Sequence, residues 1–122
     1  LGGFLDLLWR MFSGRLFYVT LEYVTEARHN PALRAKMIPV VRTFHVALDD
    51  IWRTFFAGTR LTDSEVETSL NMTLCLLRGM GVQTVLRDDP PYYRRLMAGW
   101  KSQLAHMVGA RDSVKLNLRR RA

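Results

Sequence analysis

The sequence predicts an all-α fold, a bundle of about five to six helices, and three observations carry that prediction. Side chains of the type that caps helix starts stand at three places, in "HNPALRA", "RLTDSEV" and "RDDPPYY". Between these marks apolar residues recur every three to four positions, the spacing that lines one face of a helix. No alternating run has a turn and a second alternating run beside it, as a hairpin requires.

The elements follow in order. Residues Phe4 to Phe12 form a first apolar segment, separated from the next by Ser13 and Gly14. Residues 15 to 29 form the second, although Phe17, Val19, Leu21 and Tyr23 alternate as a strand would. Helix is preferred there because "TEARHN" continues with good helix formers. Asn30 then offers an N-cap and Pro31 a first helical position where its missing N–H is no loss. Pro39, inside "KMIPVV", removes a backbone donor and predicts a kink or break near Ile38. Beyond it Val41, Phe44, Leu48, Ile51 and Phe55 share one face, and Gly58 supplies a stop. Thr62 and Glu65 stand at capping-box spacing, with Leu61 and Val66 placed as a hydrophobic staple. Asp89 and Pro90 open a last helix whose stripe, Tyr93, Leu96, Trp100, Leu104 and Met107, ends at Gly109. Residues 1–108 are thus one helical domain, and residues 109–122 a basic, mobile tail.

Composition bounds the function. With 122 residues, 48% apolar and 24% charged, the chain suits a single globular core. Charged residues interrupt every hydrophobic segment well before the ~18 apolar residues of a membrane span, so no membrane partner is expected. The opening "LGGFLDLLWRMF" carries Asp6 and Arg10 and lacks a basic leader, which argues against a signal peptide. It also lacks an initiator methionine, so the chain reads as beginning inside a longer protein. The single cysteine, Cys75, cannot form an internal disulfide and suits a reducing, cytoplasmic setting. The net charge of +7 can attract nucleic acid or anionic lipid. Apart from the terminal "RRRA", however, the arginines are scattered, without the clustering a nucleic-acid footprint needs. A module acting through that tail would bind with strong salt dependence and stop binding once the tail is trimmed.

Catalysis finds little support. His29, His45 and His106 are far apart and none has H-x-x-x-H spacing, so no metal is expected. His45 and Asp49, four apart, read as an ordinary polar contact. The serines lack a G-x-S-x-G setting and the acids fall mostly at caps and on outer faces. No enzyme and no cofactor are predicted. Cys75, in "MTLCLLRG", has apolar neighbours and reads as a buried, inert thiol.

Two features point to binding. The glycines of "LLRGMGVQTVL" do not form a phosphate loop, because no strand precedes them and no G-K-[ST] follows. They lie inside a helix. At ~100° per residue they cannot share one surface. Gly81 continues the line of Val66, Leu70, Leu74 and Leu77, whereas Gly79 belongs with Met72, Cys75 and Leu76. Both faces are apolar, so one is expected to meet the chain's own core and the other a partner subunit. The second feature is the wealth of aromatic and sulfur residues, concentrated in the first sixty positions. They are either plain core or the lining of a cavity, in which Trp9, Phe17, Leu21, Phe44, Leu48, Trp52, Met72 and Leu76 would surround a ligand. Thr20, Tyr23, His45 and Thr73 would be its polar contacts.

Taken together, "LFYVTLEYVTEARHNPALRAKMIPVVRTFHVALDDIWRTFF" resembles the ligand-binding domain of TetR-family transcriptional repressors. There a helix with L-E-x-x-x-x-A-R precedes a [ND]-P-x-L-R turn and a long helix with an L-x-x-x-[WL] face. Glu22, Ala27, Arg28, Asn30, Pro31, Leu33 and Arg34 carry the match. Leu76, Leu77, Gly79, Met80 and Gln83 are similar to the family's L-L-x-G-L-x-x-Q, while Arg78 stands where an acid is common. The resemblance spans residues 4 to 108.

It implies a homodimer whose last two long helices pair in a four-helix bundle, through Leu74, Leu77, Gly81, Val85, Leu96, Trp100, Leu104 and Met107. It also implies a small apolar or amphipathic effector in the earlier helices, and operator DNA bound only through an N-terminal helix-turn-helix missing from this chain. Effector binding would then shift the population of two arrangements of the reading heads. The alternative is a stand-alone all-α small-molecule-binding protein with no role on DNA.

Overall fold

A computed structural model describes the backbone of residues 1–121 and the side chains of residues 1–109. It holds five helices: α1 Gly2–Phe12, α2 Arg15–Ala27, α3 Pro31–Phe56, α4 Asp63–Gln83 and α5 Pro90–Arg121. The described residues contain no strand. The all-α fold is therefore as the periodicity and the caps predict.

Each predicted cap closes a real helix end. The Leu33 amide donates to Asn30 Oδ1 at 3.0 Å, and Pro31 occupies the first turn of α3. At α4 the Glu65 amide donates to Thr62 Oγ1 while the Thr62 amide donates to Glu65 Oε2 at 2.8 Å, a complete capping box. At α5 the Tyr92 amide donates to Asp89 Oδ1 at 3.2 Å. Arg87 also reaches Asp89, and the two contacts, the Tyr92 amide first, hold the carboxyl below its ordinary pKa. Gly58, just past α3, has φ 78°, where a side chain would be strained.

Two boundaries differ from expectation. α3 runs unbroken through Pro39. Ala35 and Pro39 are both exposed, so the carbonyl deprived of its donor can turn to water and the helix absorbs the loss. α5 likewise does not stop at Gly109 but continues to Arg121. The tail predicted for 109–122 falls largely on residues whose side chains lie outside the described part. The β-like "LFYVTLEYV" is helical throughout, and Thr20 and Thr25 donate their hydroxyls to the carbonyls of Leu16 and Leu21 one turn back.

The core is built around α4. Val66, Leu70, Leu74, Leu77 and Met80 are buried along it. They meet Leu5, Leu8 and Phe12 of α1, Leu48, Trp52 and Phe56 of α3, and Tyr93, Met97 and Leu104 of α5. Two buried hydroxyls of α4 pin its neighbours. Trp52 Nε1 donates to Ser69 Oγ and Trp100 Nε1 to Thr73 Oγ1, each at 2.9 Å. Ser69 and Thr73 in turn donate to the carbonyls of Val66 and Ser69 at 2.7 Å. Both indoles are thus satisfied inside the bundle.

Candidate functional site

α2 contributes only Phe17 to the core, and the first half of α3, up to Val46, contributes no buried residue. An amphipathic helix pair packed this lightly leaves apolar side chains uncovered. Between the two helices lies an open groove of about 560 Å³, within the range of small-molecule sites. Val24 and Ala27 line it from α2, and Met37, Ile38, Val41 and Val46 from α3. Its charged lining is of one sign: Arg28, Arg34, Arg42 and Arg78, with His45 beside them and no carboxylate. Ion pairs join Arg53 to Asp49 and Asp63, Arg87 to Asp89, and Lys101 to Asp6. None engages a groove arginine.

A second cavity, about 470 Å³, opens where α1, α2 and the α4–α5 turn meet. Trp9, Tyr18, Thr84, Arg87, Asp88, Tyr93 and Arg94 line it. It is the more polar of the two. Tyr18 and Thr84 bridge it through their hydroxyls, and Tyr93 Oη donates to the Arg87 carbonyl at 2.8 Å. These bonds fix the turn and engage the hydroxyls of Tyr18, Thr84 and Tyr93.

The ring-lined cavity predicted from the sequence does not form as drawn. Of its members only His45 lines the α2–α3 groove, and Trp9 faces the second cavity, its ring 5.4 Å from that of Tyr93. Phe17, Leu48 and Trp52 are core residues, and Leu21 and Leu76 pack against that core. Phe44, Tyr23, Thr20 and Met72 are exposed, and Thr73 is fully buried on Trp100. The buried stripe of α3 is Leu48, Trp52 and Phe56: Phe44, Ile51 and Phe55 fall to one side of it, and Val41, on the same face as Leu48, lies in the half of α3 that the core does not reach. Val24, Met37, Ile38 and Val46 escaped notice because they extend no aromatic pattern. The readable signal was apolar residues interleaved with Arg34 and Arg42 on a stretch free of acids.

The predicted partner face needs a similar correction. Leu74, Leu77 and Leu104 are covered within the chain, at 1% exposure or less. Gly81 is buried too, and a methyl group placed on it would strike the Phe12 carbonyl oxygen and the Phe17 ring. These four offer nothing to a partner, because α1, α2 and α5 already occupy that side of α4. Leu96, Trp100 and Met107 are half-buried against the core, and Val85, in the turn after α4, is exposed. The opposite side of α4 presents Met72, Cys75, Gly79, Val82 and, beyond its end, Leu86, all exposed. Nothing lies within 4 Å of a methyl group placed on Gly79. Of the two glycines, Gly81 therefore meets the chain's own core. Cys75, expected buried, sits on the open face. α5 exposes the small residues Ala98, Gly99, Ser102 and Ala105.

The polar chemistry is sparse. Asp49, the expected contact of His45, is instead paired with Arg53 at 2.7 Å. His29, in the turn after α2, and His106, on α5, are both exposed. The described residues bring together no group of three His, Cys, Asp or Glu side chains able to hold a metal ion, and no helix among them is long and apolar enough to cross a membrane. Comparison with protein-family models, with curated proteins and with solved structures finds no match to this chain.

Proposed function

We propose that this chain is the effector-binding and dimerisation core of a TetR-like transcriptional repressor, acting in the cytoplasm by binding and not by catalysis. The observation that carries the reading is that the core leaves two separate apolar surfaces open. One is the α2–α3 groove, and the other is the face of α4 around Gly79. Contiguous exposed apolar surface of this kind marks a place where something binds. The groove has the volume for one small apolar or amphipathic molecule, and the α4 face suits a second copy of the chain.

In this account an effector seated between α2 and α3 restrains the lightly packed half of α3. Because α3 is tied to α4 through Trp52 and Ser69, the restraint reaches the helix that the twin would contact. The effector can shift the dimer between two arrangements only as far as it prefers one of them. Operator DNA would be held by a helix-turn-helix outside these residues, and a change in the distance between two such heads would mismatch the half-sites.

The groove is tested with the neutral fluorescent probe N-phenyl-1-naphthylamine. One saturable site per chain is expected, lost in Val41→Arg, which places a charge on the apolar floor while α4 and its core contacts stay intact. Absence of saturable binding, or binding indifferent to Val41→Arg, would contradict the reading.

A further inference from the structure

The groove's charge says more than its volume does, and the geometry points to a ligand class: a monomeric amphiphilic anion, an aliphatic chain ending in a carboxylate. This inference rests on the reading of the α2–α3 groove as the effector site. Arg34 and Arg42 stand about two turns apart on α3 with Ile38 and Val41 between them, so apolar floor and cationic rim alternate along one helix. Arg78 approaches from α4, with its guanidinium 5.8 Å from the Phe12 ring centroid. Arginine is the side chain suited to this place. Its planar, permanently charged fork meets a carboxylate with two parallel hydrogen bonds, and its weak hydration lets it sit beside apolar surface.

What decides the sign of the ligand is the absence of internal partners. Elsewhere among the described residues a cation near an acid takes it, as Arg53 takes Asp49 at 2.7 Å and Lys101 takes Asp6 at 2.7 Å. No carboxylate lines the groove, so the potential of its arginines is not neutralised from within. A neutral apolar molecule would fill the floor and leave that potential unused, and an amphiphilic cation would be repelled. A carboxylate at the rim with its chain along Ile38, Val41 and Val46 satisfies both parts. The arginines surround one volume of about 560 Å³ between two helices, which suits a single chain better than the plane of a bilayer.

Competition with bound N-phenyl-1-naphthylamine tests the inference, using decanoate and 1-decanol below their aggregation limits at neutral pH. Decanoate is expected to displace the probe at a concentration about tenfold or more below that of decanol, the advantage of a charge-assisted hydrogen bond over a neutral one. The double variant R34Q/R42Q, still helical by circular dichroism and still binding the neutral probe, should bring the two competitors together. Equal displacement by decanoate and decanol in the wild type would overturn the anionic ligand and leave the groove as a ligand site. Failure of the neutral probe itself to bind would overturn both. Sedimentation of the protein with vesicles of anionic lipid, without displacement by monomeric decanoate, would also overturn the inference and make the groove a membrane face.

Discussion

The two sides of α4 have nearly the same chemistry and opposite surroundings. Val66, Leu70, Leu74, Leu77 and Gly81 lie against α1, α2, α3 and α5, while Met72, Cys75, Gly79 and Val82 meet solvent. Hydrophobicity therefore does not distinguish a core face from a binding face. What distinguishes them is which one the rest of the chain can reach. The same contrast runs along α3, whose second half carries Trp52 at 0% exposure and whose first half carries Val40 at 69%.

The contrast can be broken most severely at Gly81. Gly81→Leu forces a side chain into the Phe12 backbone and the Phe17 ring, and backbone cannot yield as a side-chain tip can. Overpacking of this kind should cost about 3 kcal/mol or more, read as a fall in the urea midpoint. Trp52→Phe comes next. It keeps most of the ring but leaves Ser69 without the indole donor, at about 1–3 kcal/mol. Thr62→Ala removes the capping box of α4 and should cost ~1 kcal/mol, with no effect on the open face.

The smallest effect is on the acid limb of stability. Asp89 has a depressed pKa in the folded chain, so its contribution is present above the ordinary aspartate value and is lost as pH falls through the folded one. Asp89→Asn should therefore flatten the loss of stability in acid relative to wild type, in melts followed from neutral pH down to about pH 2–3, below the ordinary aspartate pKa. An unchanged acid limb would show that the Tyr92 and Arg87 contacts do not hold that carboxylate in solution.

Local signals in the sequence were legible where they act locally. The Asn30, Thr62 and Asp89 caps each bond within one helical turn, so their residues can be read without knowing the fold. The Tyr93–Leu104 stripe on α5 was equally readable because a long helix has one buried face. The sites were less so. The periodicity on α3 runs through Val41, Phe44, Leu48, Ile51 and Phe55, of which Leu48 is buried; Trp52 and Phe56 lie close by on the helical wheel, and only packing on α4 selects them over Ile51 and Phe55. Likewise two apolar faces on α4 were evident from the spacing of Gly79 and Gly81, but their assignment depends on where Phe12 and Phe17 arrive from elsewhere in the chain. The groove arginines were visible individually. That Arg28 and Arg78 join Arg34 and Arg42 around one groove with no carboxylate is a property of three-dimensional proximity that the order of residues does not contain.

The claim that α4 lies between its own core and a twin is tested most directly by sedimentation equilibrium at micromolar concentration on the wild type and on Gly79→Arg. Gly79 has open space around it, so the arginine alters the outer face without disturbing the inner one. The wild type is expected at twice the 14.1 kDa chain mass and Gly79→Arg at the single-chain mass, with identical helical circular dichroism. A wild type at 14.1 kDa, or a Gly79→Arg variant still at twice that mass, would contradict it.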